Sequence, residues 1–371
     1  MANLEARMQK LIHGSGVNIN GKNPWDIQVH DPRFYRRILA GGSLALGESY
    51  MDGWWDSDQI DVSIARLLQF GIRSKLLSNP ILFLNALRAR LMNVQSKRAS
   101  FSNAQAHYDI GNDLYRAMLD RRLTYTCGYW KDAKTLDEAQ EAKLDLVCRK
   151  LGLKRGERVL DIGCGWGSFA KFAAEKYGAH VVGITVAKEQ IALGSELCKG
   201  LPVELRLQDY RDINEPFDHI VSLGMFEHVG FKNYRQFMKV VSRCMSDDGL
   251  FLLHTIASNR SVFTCDPWFN KYIFPGGMLP SIAQIGKAVE EIFVMEDWHN
   301  FGADYDKTLM AWFANFDKHW GVLKQNYSDR FYRMWKYYLL SLAGGFRARE
   351  NQLWQIVFSK KGVPGGYRSI R

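Results

Sequence analysis

The stretch Val159-Leu160-Asp161-Ile162-Gly163-Cys164-Gly165-Trp166-Gly167 decides the fold. A short β-rich run, residues 158–162, enters a glycine turn, and a helical pattern follows as far as Tyr177. Glycines permit positive φ and let a ligand approach the backbone where a Cβ would collide. The helix that follows opens with unpaired N–H groups. In open α/β sheets the crevice at the strands' carboxyl ends is where ligands bind.

Outward from this turn the alternation continues. Residues 180–184 read as a strand, 188–198 as a helix, 203–208 as a strand, 219–223 as a strand, 234–245 as a helix and 250–255 as a strand. Strands alternating with helices predict an α/β fold, a doubly wound Rossmann-like sheet that is parallel with helices on both faces. Residues 293–298 and 353–359 add strands at the far edge. The Trp-, Pro- and Gly-containing insertion 263–280 reads as a substrate-covering segment. Residues 1–95 read as a smaller, mainly helical domain carrying Gly-Gly-Ser-Leu-Ala-Leu-Gly-Glu-Ser-Tyr-Met-Asp-Gly-Trp-Trp-Asp (Gly41 to Asp56). The polar residues 93–103 form the expected linker, and 104–371 the catalytic domain. At 371 residues the chain has room for two cores.

The turn narrows the ligand. Dinucleotide binding wants G-x-G-x-x-G/A and an acidic residue about 20 residues on. Here the third position is Ser168, and the second strand ends Gly183-Ile184-Thr185 without a carboxylate. No Gly-Lys-Ser/Thr follows, which removes a P-loop. What remains, beside a βα turn with no ligand, is a nucleoside lacking a pyrophosphate. Asp161 and the Gly163 and Gly165 backbone would then face the ligand's amino-acid end.

The net charge of +10 is concentrated. Between residues 62 and 98 stand Arg66, Arg73, Lys75, Arg88, Arg90, Lys97 and Arg98, with no acidic residue among them. Leu and Phe clusters interleave with these cations, a pattern closer to an interfacial amphipathic helix on an anionic membrane than to a nucleic-acid stripe. A pair of core helices with solvated basic faces is the alternative. No run of about 20 apolar residues is available to span a bilayer. Residues 1–20 lack the apolar segment and cleavage pattern of a signal peptide. Six scattered cysteines without a C-x-x-C pair favour free thiols in a reducing cytoplasm.

The string Asp161 to Gly167 resembles the first motif of class I S-adenosylmethionine methyltransferases, and Gln208-Asp209-Tyr210 falls where that superfamily contacts adenine. Further strings resemble the cyclopropane synthase branch: His107-Tyr108-Asp109-Ile110-Gly111-Asn112, Tyr125-Thr126-Cys127-Gly128-Tyr129-Trp130, Gly224-Met225-Phe226-Glu227-His228-Val229-Gly230, Ile273-Phe274-Pro275-Gly276-Gly277, the run Glu296 to Tyr305, and Phe346-Arg347-Ala348-Arg349. The N-terminal region extends the likeness toward the bacterial phospholipid cyclopropane synthases; the mycolic acid enzymes lack that region. The resemblance implies that Tyr125, Thr126, Gly163, Gly165, Thr185, Gln190 and Gln208 line S-adenosylmethionine. Thr185 stands where other methyltransferases carry an acid, which leaves the ribose to neutral groups such as Gln190.

The resemblance also implies the reaction, a methylene added across the cis double bond of an unsaturated phospholipid chain. An alkene is a weak nucleophile, but a sulfonium methyl is a strong electrophile. Their reaction leaves a carbocation that must lose a proton before a ring closes. Such a site needs a dry pocket, aromatic faces beside cationic charge, and a base that is not itself alkylated. The resemblance assigns that base to a bound bicarbonate held by Cys127, Glu227, His254 and Tyr305 with the Ile256 backbone. It further implies a homodimer, and the basic-apolar segment 62–98 leads to the expectation that the protein is cytoplasmic and peripheral to the inner face of the cytoplasmic membrane. Cys127, Glu227 and His254 are too widely spaced to suggest a metal site. Rival readings are a methyltransferase making methyl-branched lipids or methylating a small amine, and a catalytically dead membrane adaptor that binds the cofactor.

Replacing Arg88, Arg90, Lys97 and Arg98 with neutral residues is expected to weaken binding to anionic vesicles and flatten its salt dependence. Vesicle sedimentation measures this, and an unchanged affinity would return the segment to an ordinary helical surface.

Overall fold

The computed structural model describes residues 2–72 and 111–371. The expected linker 93–103, the string His107 to Ile110 and most of the basic-apolar segment 62–98 lie outside the described residues. The chain divides into two compact units that do not follow its linear order. One takes the N-terminal residues together with Thr264–Pro275 and Tyr305–Asn351, and the other takes the remainder of the described chain.

The first unit contains helices α1 (Ala2–Ile12), α2 (Arg33–Met51) and α3 (Ile60–Gln69), with a short antiparallel pair, β1 (Gln28–Val29) against β2 (Trp55–Asp56). Helix α2 is interrupted at Gly42, whose φ of 57° no helical residue adopts. The unit's interior is aromatic. The Tyr50 ring lies 5.1 Å from Trp55 and 5.6 Å from Tyr337, and Trp268 lies 4.7 Å from Tyr337. Arg333 binds the Trp55 carbonyl at 2.9 Å and the Asp56 carboxylate at 2.8 Å, with its guanidinium 4.1 Å from the Tyr50 ring centre. The string Gly47 to Trp55 is thus a packing motif. A Cβ on Gly47 would stand inside the Trp268 indole. Arg347, from the string Phe346 to Arg349, forks onto Asp306 with two 2.9 Å bonds and reaches Asp61 at 2.6 Å.

The second unit holds α4 (Asn112–Met118), α5 (Leu136–Leu151), β3 (Arg158–Ile162), α6 (Ser168–Tyr177), β4 (His180–Thr185), α7 (Lys188–Leu197), β5 (Val203–Leu207), β6 (His219–Leu223), α8 (Tyr234–Cys244) and β7 (Leu250–Ser258). After α9 (Pro267–Tyr272) of the first unit come α10 (Ile282–Val289) and β8 (Val294–Asn300). Helices α11 (Ala303–Leu323) and α12 (Asp329–Arg347) precede β9 (Asn351–Ser359). The strands form one seven-stranded sheet in the order β5-β4-β3-β6-β7-β9-β8. Pairing is parallel from β5 through β7, as expected for doubly wound connections. The far edge differs from an all-parallel sheet, because β8 runs antiparallel to β9. Strand β7 also runs on to Ser258, beyond the expected end at Thr255. One face packs on α8 and α10 through Phe237, Met238, Val241 and Ile285, the other on α5 and α6 through Leu144, Val147, Phe169 and Ala173. Strands covered on both faces read as unbroken apolar runs, which is how Leu250 to Leu253 reads.

Gly47→Ala tests the aromatic packing by sign. In an open helix the change would stabilise by about 0.5–1 kcal/mol. Here it should destabilise by about 1–3 kcal/mol, since neither α2 nor the indole can yield cheaply. Denaturant unfolding decides, and a stabilised variant would contradict the packing.

Candidate active site

Parallel register brings the candidate residues of the second unit to one edge. Asp161 is opposite Gly183 and Val221, Ile162 opposite Ile184, Thr185 opposite Leu207, and Leu223 opposite His254. The turn after β3 is held down by two amides, Gly163 N–H and Cys164 N–H, both donating to the Ile184 carbonyl at 2.9 and 3.1 Å. Gly163 has φ 86°, and a Cβ there would sit 2.5 Å from the Met225 Cβ. Only glycine fits.

A strap, residues 124–129, runs beside this turn and is clamped by α5. That helix starts at a capping box in which Thr135 and Glu138 satisfy each other's amides, and stops at Gly152 with φ 62°. Its inner face carries Ala139, Gln140 and Lys143, spaced to share one side of a helix. Gln140 donates to the Thr126 carbonyl at 2.7 Å, Lys143 donates to the Thr126 hydroxyl at 2.6 Å, and the Ala139 carbonyl accepts from Tyr129 N–H at 2.8 Å. Tyr125 stands edge-on to Tyr115 at 5.2 Å, and Tyr115 packs on Trp166 of the glycine turn at 4.8 Å. Trp166 donates in turn to Asn112 at 3.0 Å, so strap, α4 and turn form one assembly.

The remaining cofactor candidates divide. Thr185 donates its hydroxyl to Gln190 at 2.8 Å, and the Gln208 amide donates to the Thr185 carbonyl at 3.0 Å, so these three are brought together. Asp209 is committed elsewhere: its carboxylate caps the Arg211 amide at 2.9 Å and pairs with the Arg211 guanidinium at 2.8 Å. Tyr210 turns its ring into the core, 5.1 Å from Phe237. Asp161 is buried, with Oδ1 bonded to nothing. Burial pushes its carboxyl up to about 7, against the pull of Lys143.

Glu227 and His254 are also buried. Glu227 Oε1 accepts from the Ile256 amide at 2.6 Å, and Oε2 has no partner. The Ile256 N–H is thereby engaged by Glu227. Burial raises the Glu227 carboxyl to about 7. His254 Nδ1 accepts from the Gln355 amide at 3.3 Å, and burial holds the ring neutral, its pKa well below the usual histidine value. The proton of that neutral ring therefore sits on Nε2, which is buried without a partner. Two unsatisfied polar atoms in a dry interior are costly unless something polar meets them. Phe301 lies 5.9 Å from the His254 ring and 5.2 Å from Tyr129, adding aromatic surface. Cys127 is fully buried, its thiol 3.2 Å from the Gly128 carbonyl. Tyr305 belongs to the first unit, where its ring packs on Phe346 at 4.6 Å and meets Trp312 edge-on at 5.9 Å. His228 is held neutral by burial, its pKa down to about 4.

Lys143, Gln140 and Gln355 were not foreseen. Each is a polar residue on an apolar pattern: Gln355 interrupts Leu353-Trp354-Gln355-Ile356-Val357-Phe358, and Lys143 shares the buried helix face of Ala139, Leu144 and Val147. That mismatch was the signal available. Among the described residues no group of three or more His, Cys, Asp or Glu is placed to hold a metal ion, and no helix is long and apolar enough to cross a membrane.

Comparison with known proteins decides the family. The model of the family described as mycolic acid cyclopropane synthetase matches residues 95–356. The chain belongs to that family. It is 53% identical over 365 residues to the cyclopropane-fatty-acyl-phospholipid synthase of Escherichia coli K12, covering 98% of this chain and 94% of that protein. The solved structure of a mycolic acid cyclopropane synthase complexed with SAH and CTAB matches with a TM-score of 0.66 and 35% identity, covering 70% of this chain and 98% of that one. Coclaurine N-methyltransferase, bound to N-methylheliamine and SAH, matches with a TM-score of 0.71 and 25% identity over 85% of this chain and 99% of that one. The glycine cradle and the unpartnered Asp161 oxygen fit S-adenosylmethionine, the methyl donor of this superfamily. Glu227 Oε2 and His254 Nε2 are each left with hydrogen-bonding capacity that a small polar ligand could meet.

Gly163→Ala is expected to weaken binding of S-adenosylhomocysteine at least ~10-fold, about 1.4 kcal/mol. Calorimetric titration tests it, and wild-type affinity would show that the turn does not cradle the ligand.

Proposed function

We propose that the protein is a cyclopropane-fatty-acyl-phospholipid synthase, transferring a methylene from S-adenosylmethionine to the cis double bond of unsaturated phospholipid chains. The relationship to the E. coli synthase spans both the N-terminal region and the sheet, and this supports phospholipid as the substrate. The observation that carries the chemistry is the pair of buried unpartnered atoms, Glu227 Oε2 and His254 Nε2, at the sheet edge that also carries the glycine turn.

S-adenosylmethionine when bound supplies a sulfonium methyl, and bicarbonate when bound supplies a base that cannot be alkylated at carbon by the cation beside it. With both bound, the olefin would take the methyl carbon as its bond to sulfur breaks, leaving a carbocation on the lipid, and a proton would pass from the new methyl group to the bound base as the ring closes. The protein's own residues hold and shield these events. His254 donates from Nε2 toward the anion, and Cys127 and Tyr305 are the further donors assigned to it. Glu227, near half-ionised at neutral pH, can give or take the proton of the anion's hydroxyl. Phe301 and Tyr129 offer faces that stabilise cationic charge without capturing it. Thr185, Gln190 and Gln208 suit the neutral recognition of a ribose and base. Asp161 suits the cofactor's ammonium group. The same reading places a homodimer in the cytoplasm, on the inner membrane surface, held there by the basic-apolar residues 62–98.

Incubation with unsaturated phospholipid vesicles and S-adenosylmethionine, followed by mass spectrometry, tests the reaction. The product should gain one methylene and lose its bromine-reactive unsaturation. A methylated lipid that keeps its alkene, or a methylated amine, would overturn the assignment in favour of an ordinary methyltransferase, and no product with intact vesicle binding would favour an adaptor. Glu227→Gln and Tyr305→Phe should lower turnover by about 100-fold or more while S-adenosylhomocysteine affinity changes little, and removing bicarbonate should slow the intact enzyme. Equal losses in turnover and cofactor affinity would contradict the anion-site roles.

A further inference from the structure

Lys143 lies wholly inside the protein; of the other cations on its helix, Arg149 pairs with Asp145 at the surface, and the likewise buried Lys150 has Asp297 as a carboxylate partner at 3.6 Å. A buried lysine is costly and needs a reason. Its single hydrogen bond, 2.6 Å to the Thr126 hydroxyl, leaves two N–H donors. Its charge acts on four titratable groups from four elements, most strongly on Asp120 from the loop after α4, then on Cys127 from the strap and Asp161 from the end of β3, and also on His254 from β7. Asp120 is already satisfied, accepting from the Arg122 amide at 3.0 Å and from the amide and hydroxyl of Thr124 at 2.7 and 3.2 Å. Asp161 is the carboxylate with an oxygen to spare.

We propose that Lys143 is a positioning residue for the cofactor: it fixes the Thr126 hydroxyl and stands as the buried counter-charge to Asp161, the carboxylate turned to the cofactor's ammonium group. This rests on the assignment of Asp161 made above. Lys143 does not touch the ligand. It acts through two residues assigned to the ligand, Thr126 of the strap and Asp161 before the glycine turn.

The electrostatics agree in sign. Burial alone favours the neutral form of Asp161, which cannot pair with an ammonium, and Lys143 is the group that opposes it. Lys143 itself is pushed down by burial only to about 8, so it remains mostly protonated at neutral pH. Two further titratable groups feel the charge of Asp161, Cys164 and Cys198, both raised by burial and therefore neutral thiols. His254 is neutral as well. Cofactor affinity should thus decline as pH falls through about 7, where Asp161 takes up its proton. Without Lys143 that decline should begin at higher pH.

The test is the affinity for S-adenosylhomocysteine, by calorimetry, between about pH 6 and 8.5. It uses the full chain in a Glu227→Gln background, which removes the second carboxyl that titrates near 7. Lys143→Met should move the acid limb of the affinity profile up by about one pH unit, a loss of about fivefold at pH 7 beyond any constant offset. Thr126→Val should reproduce the constant offset and leave the limb in place, and Lys143→Arg should keep the limb where it is in the parent. If Lys143→Met fails to fold, Lys143→Gln takes its place, with thermal melting confirming the fold. A limb that stays put in the neutral variants would overturn the proposal. Asp161→Asn separates the two layers: weak and flat binding sustains the assignment of Asp161, whereas unchanged binding removes that assignment and the proposal with it.

Discussion

In-register parallel pairing is the constraint on which the site depends. Strands β3, β4, β6 and β7 end at one edge because each was hydrogen-bonded to its neighbour in step, Ile162 with Ile184 and Leu223 with His254. A slip of one residue would turn every side chain to the opposite face. Asp161, Thr185, Glu227 and His254 share that edge only because the register holds. The same pairing sets the glycine turn, since the Ile184 carbonyl that receives Gly163 and Cys164 is itself fixed by β4.

On this frame the protein places polar groups where water would ordinarily be required. Asp161, Glu227, His254 and Lys143 are all buried, and their protonation is set by desolvation first and by one another second. Burial disfavours charge on both carboxyls and on the imidazole. That condition suits a reaction in which a cationic sulfonium becomes a neutral thioether while positive charge moves onto carbon. A solvated site would trap such a cation with water. The dry, aromatic surroundings and the fixed dipoles substitute for solvent without offering a competing nucleophile.

The sheet and the glycine turn were legible in the sequence because they are local: apolar runs of strand length, each bounded by turn residues, leave few alternatives. The antiparallel edge was not legible, since β9 reaches β7 and β8 only after the helices of 303–347, and no local pattern encodes such a partner. Glu227 and His254 are proposed for the site through motif likeness, and the structure adds what the motif could not, namely that Oε1 is tied to Ile256 and Nδ1 to Gln355. For Asp209 and Tyr210 the structure adds side-chain partners that the motif does not encode. Their motif position points at adenine, yet Arg211 and the core around Phe237 engage their side chains. Lys143 escaped notice because lysine in a helical pattern reads as surface. The division into units was likewise hidden: Arg347 belongs with Asp61 through a contact that no linear boundary between domains would place together.

The account centres on loss of one proton from the transferred carbon inside the protein. Feeding the enzyme S-adenosylmethionine deuterated at the sulfonium methyl, with protonated unsaturated phospholipid, reads this directly by mass spectrometry of the lipid. Two of the three deuterons should remain, both in a three-membered ring. Retention of all three on a saturated or branched methyl carbon would contradict it.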